Sequence, residues 1–278
     1  LATDPDSDRL GVAVRKKDGA FDVLSGNQIG SLLIHYLLSA RKENGTLPKD
    51  GLVVKSLVST RMADAICARF GVACREVPTG FRFISEIIDD CERTHAKTFL
   101  FGFEESYGFL AGSFSRDKDA ICAAMLVAEA CVYYRQKGMT LYDVLQEMYR
   151  MYGYYKESVK SYTLAGKEGI ERIRGAMAAL RADSPKEFGG VAVESCEDLL
   201  PGTCMYIGAD EAAHTSIKGI DVLRYTLAGD AWLCVRPSGT EPKLKLYIGA
   251  HALDEAGVDA QLQALTAAAD QRILGLLG

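Results

Sequence analysis

The chain has 278 residues, 25% of them charged and 48% hydrophobic, and a formal net charge of −5. That length allows two domains with their own cores, and the composition is that of an ordinary globular protein. It carries no basic stripe with interleaved aromatics for nucleic acid, no apolar run near the ~18–20 residues of a membrane helix, and no visible secretory leader.

The first segment is Asp4-Pro5-Asp6-Ser7-Asp8-Arg9, three carboxylates at alternate positions followed by an arginine. Crowded carboxylates repel, and a hard divalent cation (Mg²⁺, Ca²⁺ or Mn²⁺) held by oxygen ligands relieves the repulsion. A solvated Asp/Pro/Ser turn has the same composition. An EF-hand loop counted from Asp4 needs Gly and Glu where Arg9 and Arg15 stand, so that reading fails. Residues 10–14 read as a buried strand, and Lys16-Lys17-Asp18-Gly19 as a hairpin turn. A metal loop this near the first residue, in a chain without an initiator Met, is expected of a sequence that begins mid-protein.

Ser25-Gly26-Asn27 caps a helix with Ile29, Leu32, Leu33, Tyr36 and Leu37 at helical spacing, ended by Gly45 and Pro48. Strands follow at 52–58, 72–77 and 98–101, alternating with helices at 61–70 and 81–93. A long apolar segment, 120–134, reads as a mostly buried helix, and Thr140 with Asp143 starts another by a capping box. This alternation predicts a three-layer α/β domain with a mostly parallel mixed sheet over 22–152. After Gly153 the pattern changes to a strand at 154–164, a helix at 167–180 and short strands at 191–193, 222–227, 232–235 and 244–248. A helix at 254–277 closes the chain. Hairpin-linked strands with two helices predict a smaller α+β domain over 153–278. The eight cysteines form no C-x-x-C pair. They read as reduced thiols, most among apolar residues, in a cytoplasmic protein.

Four further segments carry chemistry. Pro78-Thr79-Gly80-Phe81-Arg82 feeds a helix N-terminus, which attracts anions but is common everywhere. Gly102-Phe103-Glu104-Glu105-Ser106-Tyr107-Gly108 follows a strand, where ligands gather in α/β sheets; it reads either as a sugar-hydroxyl clamp or as a solvated loop. Arg116-Asp117-Lys118-Asp119 reads either as an acidic helix start or as a lysine placed for proton transfer or phosphate contact. Arg236-Pro237-Ser238-Gly239-Thr240-Glu241-Pro242-Lys243 joins two strands. Its arginine, hydroxyls and glycine suit a phosphate, and a plain Pro/Gly turn is the alternative.

In this order the five segments resemble the α-D-phosphohexomutase superfamily, and specifically its bacterial phosphoglucomutase branch, which includes phosphopentomutases. The resemblance covers the whole chain. It implies that Asp4, Asp6 and Asp8 hold Mg²⁺ and that Arg9 lies near a phosphoserine. It likewise implies that Glu104 and Ser106, in a G-E-x-S loop offset by Phe103, bind sugar hydroxyls. Thr79 and Gly80 match a T-G turn, with Arg82 where many relatives have lysine. Lys118 matches a lysine proposed for acid–base or phosphate duty, and Arg236, Ser238, Gly239 and Thr240 match the phosphate loop.

The family has four domains. Residues 1–21 would be the tail of domain two, 22–152 domain three, and 153–278 a TATA-binding-protein-like domain four. The phosphoserine loop, resembling T-x-S-H-N-P, is absent from the sequence. The implied activity is interconversion of hexose 1- and 6-phosphates through a glucose 1,6-bisphosphate-type intermediate, by these residues together with N-terminal domains of the same polypeptide. These 278 residues alone would be inactive and would bind Mg²⁺ weakly or not at all. The alternatives are a phosphomannomutase or phosphopentomutase, a non-catalytic sugar-phosphate-binding protein, and an unrelated Ca²⁺-binding α/β protein.

Overall fold

Residues 51–56, Gly-Leu-Val-Val-Lys-Ser, are buried without exception, and the first sheet is assembled around them. A computed structural model describes residues 1–278 apart from Lys17, Asp210 and Thr240. The described chain divides into two compact units, Leu1–Tyr152 and Gly153–Gly278.

In the first unit β1 (Ala2–Thr3) and β2 (Leu10–Gly11) pair antiparallel on either side of the aspartate loop. β3 (Ala13–Arg15) and β4 (Phe21–Val23) form a hairpin. The single strand expected at 10–14 is thus broken at Val12, whose carbonyl accepts from the Leu24 N–H at 2.9 Å. α1 (Gly26–Glu43) begins at a capping box in which Ser25 and Gln28 exchange hydrogen bonds. Then come β5 (Gly51–Ser56), α2 (Met62–Phe70), β6 (Ala73–Val77), α3 (Phe81–Thr94), β7 (Thr98–Glu104), β8 (Gly108–Ala111), α4 (Ala120–Gln136) and α5 (Leu141–Tyr152). The sheet order is β6-β5-β7-β8, with β5 parallel to both β6 and β7, and β8 antiparallel to β7.

Alternation along the strands, shifted by a bulge in β7 between Phe99 and Phe101, builds the layers. Leu52, Val54 and Phe99 join Phe81, Ile84 and Ile88 of α3 in one cluster, while the Phe103 ring on the other face lies against Gly30 of α1. Helices therefore cover both faces, the three-layer arrangement expected. Burying an isoleucine contributes roughly 1.5–3 kcal/mol. Ile84 and Ile88, both fully buried, therefore hold α3 and the Thr79-Gly80 turn that precedes it.

Two expectations for this unit need correction. Strand β7 runs three residues beyond Phe101 and turns straight into β8, because Phe103 alternates with Phe101 on the buried face. Helix α4 buries only Ala120, Ala123, Val127, Ala130 and Tyr134. It is apolar on all sides but packs along one stripe, which leaves Ile121, Met125 and Val132 exposed.

The second unit contains β9 (Tyr154–Thr163), α6 (Gly166–Ala182), β10 (Glu187–Phe188), β11 (Val191–Asp198), β12 (Thr203–Tyr206), β13 (Ala213–His214), β14 (Leu223–Leu227), β15 (Trp232–Pro237), β16 (Lys243–Ala252) and α7 (Glu255–Leu277). Its sheet is antiparallel, in the order β13-β12-β11-β14-β15-β16-β9, with β10 beside β11. Ile173, Met177 and Leu180 of α6 and Val258, Leu265 and Ile273 of α7 share a core with Leu233, Val235, Leu244, Leu246 and Ile248. The sequence pattern does not predict β10, β12 or β13, which are short and mostly exposed. All eight cysteines are free, and Cys131 is exposed. Among the described residues no helix is long and apolar enough to cross a membrane.

One histidine makes the stability of the first unit depend on pH. The His35 Nδ1 lies 2.9 Å from the Tyr134 hydroxyl, and the ring packs edge-on against Phe70 and Tyr152. Burial, then the charges of Arg69 and Lys137, push its pKa from 6.5 down to about 4. The unfolded chain takes up this proton near 6.5 and the folded chain only near 4. Stability is therefore full above that window and falls as pH drops through it, by up to about 1.4 kcal/mol per pH unit. His35→Gln is expected to narrow the stability difference between pH 7 and pH 5, measured by urea unfolding at both values.

Candidate functional site

The aspartate loop is held by its own backbone. The Asp4 Oδ1 accepts from the Asp8 and Arg9 N–H groups at 3.2 and 3.0 Å, and the Ser7 N–H donates to the Asp4 carbonyl at 3.1 Å. Ser7 has φ +58°, a left-handed conformation that costs a non-glycine residue about 1–3 kcal/mol and is found where a loop must be aimed. Burial pushes the Asp4 carboxyl pKa up, but these N–H groups outweigh it and hold the carboxyl below its usual range. Asp4, Asp6 and Asp8 each present an oxygen within 4.8 Å of the others. The Asp8 Oδ1 is buried and accepts no hydrogen bond; the Arg9 Nε stands 3.8 Å from it. An oxygen-only cluster with an unsatisfied carboxylate oxygen suits a hard divalent cation such as Mg²⁺.

Three strands of contact tie this loop to the other expected site residues in the unit. The Leu10 N–H donates to the Tyr107 carbonyl at 3.1 Å, and Arg9 bridges Gly108. The Ala120 N–H donates to the Ser7 carbonyl at 3.2 Å. The Lys118 Nζ lies 2.7 Å from the Asp8 Oδ2 and 3.3 Å from the Asp117 Oδ1, and 6.0 Å from the Phe81 ring centre. Burial lowers the Lys118 pKa, but the Asp8 and Asp117 carboxylates outweigh it and raise it above the usual lysine range. The helix-start reading of residues 116–119 is seen directly, and the lysine is placed beside Asp8. Asp119 caps α4 through the Cys122 N–H at 2.8 Å, Arg116 braces the loop against Asp89 at 2.5 Å, and Lys118 faces the aspartates.

The sugar-loop candidate is a hairpin whose tip is Glu105-Ser106-Tyr107, between paired Glu104 and Gly108. Glu104 is buried, and its Oε1 accepts the Gly80 N–H at 2.7 Å. This bond joins the G-E-x-S loop to the T-G turn, where Gly80 has φ +119°. Ser106 is exposed. Thr79 is partly buried, directly before Gly80. Asp4, Asp6, Asp8, Arg9, Lys118, Gly80 and Glu104 thus meet within one unit, although they come from four separate stretches of sequence.

The phosphate-loop candidate lies in the second unit. Arg236, next to last in β15, lies opposite Lys245 of β16. Leu244 and Leu246 face the helix-covered core, so Arg236 and Lys245 share the other face of the sheet. The loop closes through the Ser238 N–H to the Lys243 carbonyl at 2.8 Å. Gly239 is exposed, and Thr240 lies outside the described residues. Two cations directly opposite each other repel, which an anion between them would relieve. Sequence reading missed Lys245, although its spacing of two from Lys243 was a signal. It also missed Asn27, Lys55, Ser56 and Ser59, which support the hairpin from beneath. A lysine inside the apolar run 51–56 was the available clue.

Residues 25–152 match the family described as phosphoglucomutase/phosphomannomutase, alpha/beta/alpha domain III, and residues 170–268 match its C-terminal domain. The chain belongs to the phosphoglucomutase/phosphomannomutase family. It is 34% identical over 265 residues to a phosphoglucomutase of Staphylococcus aureus strain N315, covering 95% of this chain and 47% of that protein. With the strain USA300 phosphoglucomutase it shares 35% over 248 residues, 89% of this chain and 44% of the relative. The chain therefore spans about half the length of the curated relatives it matches.

Two solved mutase-family structures share the fold. One is a putative phosphomannomutase from Thermus thermophilus (TM-score 0.61, 19% identity, 97% of this chain and 44% of that one). The other is pp63/parafusin, a Paramecium phosphoglucomutase (TM-score 0.63, 14% identity, 99% and 45%).

A cation entering the aspartate cluster would meet the Lys118 ammonium beside Asp8. Lys118→Met is expected to tighten Mn²⁺ binding about two- to fivefold, the factor matching the ~0.5–1 kcal/mol of a partly exposed ion pair. Calorimetric titration checks this, with Asp8→Asn as the variant expected to lose binding.

Proposed function

We propose that these residues form the metal loop, the sugar-reading loop and one phosphate anchor of a phosphoglucomutase-type enzyme that interconverts hexose 1-phosphate and 6-phosphate. One observation carries the reading. Three aspartate oxygens cluster within 4.8 Å of one another, in a loop joined backbone to backbone to the Glu104–Gly108 hairpin. On this reading residues 1–21 end a preceding domain, while 22–152 and 153–278 are the third and fourth domains. The nucleophilic serine lies in sequence outside these 278 residues.

Asp4, Asp6 and Asp8 would hold Mg²⁺, which when bound neutralises charge on the phosphoryl group in transfer. A solved relative, Aspergillus fumigatus N-acetylphosphoglucosamine mutase, is described in complex with GlcNAc-6P and magnesium (TM-score 0.53, 14% identity, 98% of this chain and 48% of that one). Arg9 adds positive charge beside the cluster. Lys118, held protonated by Asp8 and Asp117, serves as a cation or proton donor rather than as a resting base. Thr79, Gly80, Glu104 and Ser106 hold the sugar hydroxyls. Arg236, Ser238, Gly239 and Thr240 anchor the phosphate that is not being transferred, and Lys245 adds its charge to that anchor. The enzyme's phosphoserine would pass its phosphoryl group to a sugar hydroxyl, giving a bisphosphate and a free serine, and the sugar's other phosphoryl group would then pass to that serine. The S. aureus relatives at 34–35% identity favour glucose phosphate as substrate over mannose, glucosamine or pentose phosphates.

The test is a mutase assay with glucose 1-phosphate and Mg²⁺ on the longer polypeptide that includes the phosphoserine domain. Arg236→Ala is expected to lower kcat/KM about 10–100-fold, matching the loss of a charge-assisted hydrogen bond of ~1.5–3 kcal/mol. The 278-residue chain alone is expected to convert no glucose 1-phosphate. Conversion by that chain, or full activity in Arg236→Ala, counts against the proposal.

A further inference from the structure

Burying a polar group costs about 1–3 kcal/mol unless it is hydrogen-bonded, so proteins scatter few of them. Here they concentrate. Of the eight buried polar or charged residues among those described, six gather behind one hairpin tip: Asn27, Lys55, Ser56, Ser59, Thr60 and Glu104. Their bonds form a directed chain. The Lys55 Nζ donates to the Thr60 carbonyl at 3.2 Å, and the Thr60 N–H donates to the Asn27 Oδ1 at 3.0 Å. This fixes the turn after β5 against the start of α1. At the end of β5 the Ser56 hydroxyl donates to the Glu105 Oε2 at 2.9 Å. Its proton being used there, the hydroxyl accepts from Ser59 at 2.8 Å, and donors in series polarise one another. Gly26 closes the other side. A β-carbon there would meet the Glu105 carbonyl oxygen at 2.1 Å, so the backbones of α1 and the hairpin tip touch.

We infer that Ser56 is a positioning residue that, with Ser59 behind it, clamps the Glu105 carboxylate inward and so orients Ser106 outward on the sugar-reading loop. The function of the clamp rests on the sugar-reading role proposed for Glu104 and Ser106. It makes Glu105 a structural strut rather than a sugar ligand, even though it stands between two residues assigned to the sugar. Its neighbour Glu104 bonds the Gly80 N–H, so adjacent carboxylates fasten the tip to two separate loops.

The experiment is amide hydrogen exchange on this chain, comparing Ser106, Tyr107 and Gly108 with the β5 amides of Leu52, Val53 and Val54 as internal reference. Ser56→Ala and Glu105→Ala are each expected to speed exchange at the tip about tenfold while β5 is unchanged, and the double variant to be no faster than either single one. Glu105→Gln, which keeps an acceptor for the Ser56 hydroxyl, is expected to restore exchange to near the parent rate. Unchanged tip exchange in Ser56→Ala, additive effects in the double variant, or no rescue by Gln would overturn the inference. If Ser56→Ala disturbs β5 as well, the Glu105→Ala and Glu105→Gln pair decides alone, since Glu105 lies outside the sheet. No sugar enters the measurement, so its failure is distinct from failure of the mutase assay.

Discussion

The ammonium of Lys55 lies in the central strand of the first sheet with no exposure to solvent, and a desolvated charge costs several kcal/mol unless partners replace the lost water. Three acceptors match its three hydrogens: the Asp64 Oδ2 at 2.6 Å, the Glu76 Oε1 at 3.3 Å and the Thr60 carbonyl at 3.2 Å. Burial alone would lower its pKa, but Glu76 and then Asp64 outweigh that and raise it. Those partners sit on β6, α2 and the turn after β5. One charge therefore fixes the end of the central strand to its neighbour, to the next helix and to the turn carrying Ser59 and Thr60. The hairpin tip, and through the Tyr107 carbonyl the aspartate loop, take their positions from that turn.

The aspartate loop has the opposite problem. Its carboxylates are partly exposed and repel, and the chain meets this with backbone N–H groups on Asp4 and with Lys118 beside Asp8. This is a partial solution, since the Asp8 Oδ1 accepts no hydrogen bond. The arrangement keeps three carboxylates close together, with Lys118 and Arg9 beside them. In the second unit the signs reverse, with Arg236 and Lys245 opposed across a strand pair.

Much of this was legible from the residues. The capping residue Ser25, the Thr140–Asp143 capping box and the apolar periodicities placed most elements to within a few residues, because those signals are local. The misses were non-local. Strand β8 is four residues long and exists because β7 offers it an edge. The exposed face of α4 reads as buried because composition reports how apolar a helix is, not which side has a neighbour. Ser56, Ser59 and Asn27 are ordinary residues in sequence, and only burial beside Glu105 and Thr60 gives them a role.

By itself the sequence determined the fold class, the family resemblance and the identity of the chemical groups, since carboxylate spacing, loop composition and hydrophobic period are properties of consecutive residues. Tertiary structure alone decided which of those groups meet. Lys118 and Asp8 are far apart along the chain, yet their side chains lie 2.7 Å from each other, and Ser56 reaches Glu105 across 49 positions. The reason is physical: parallel strands bring their carboxyl ends to one edge, so loops far apart along the chain are packed side by side there.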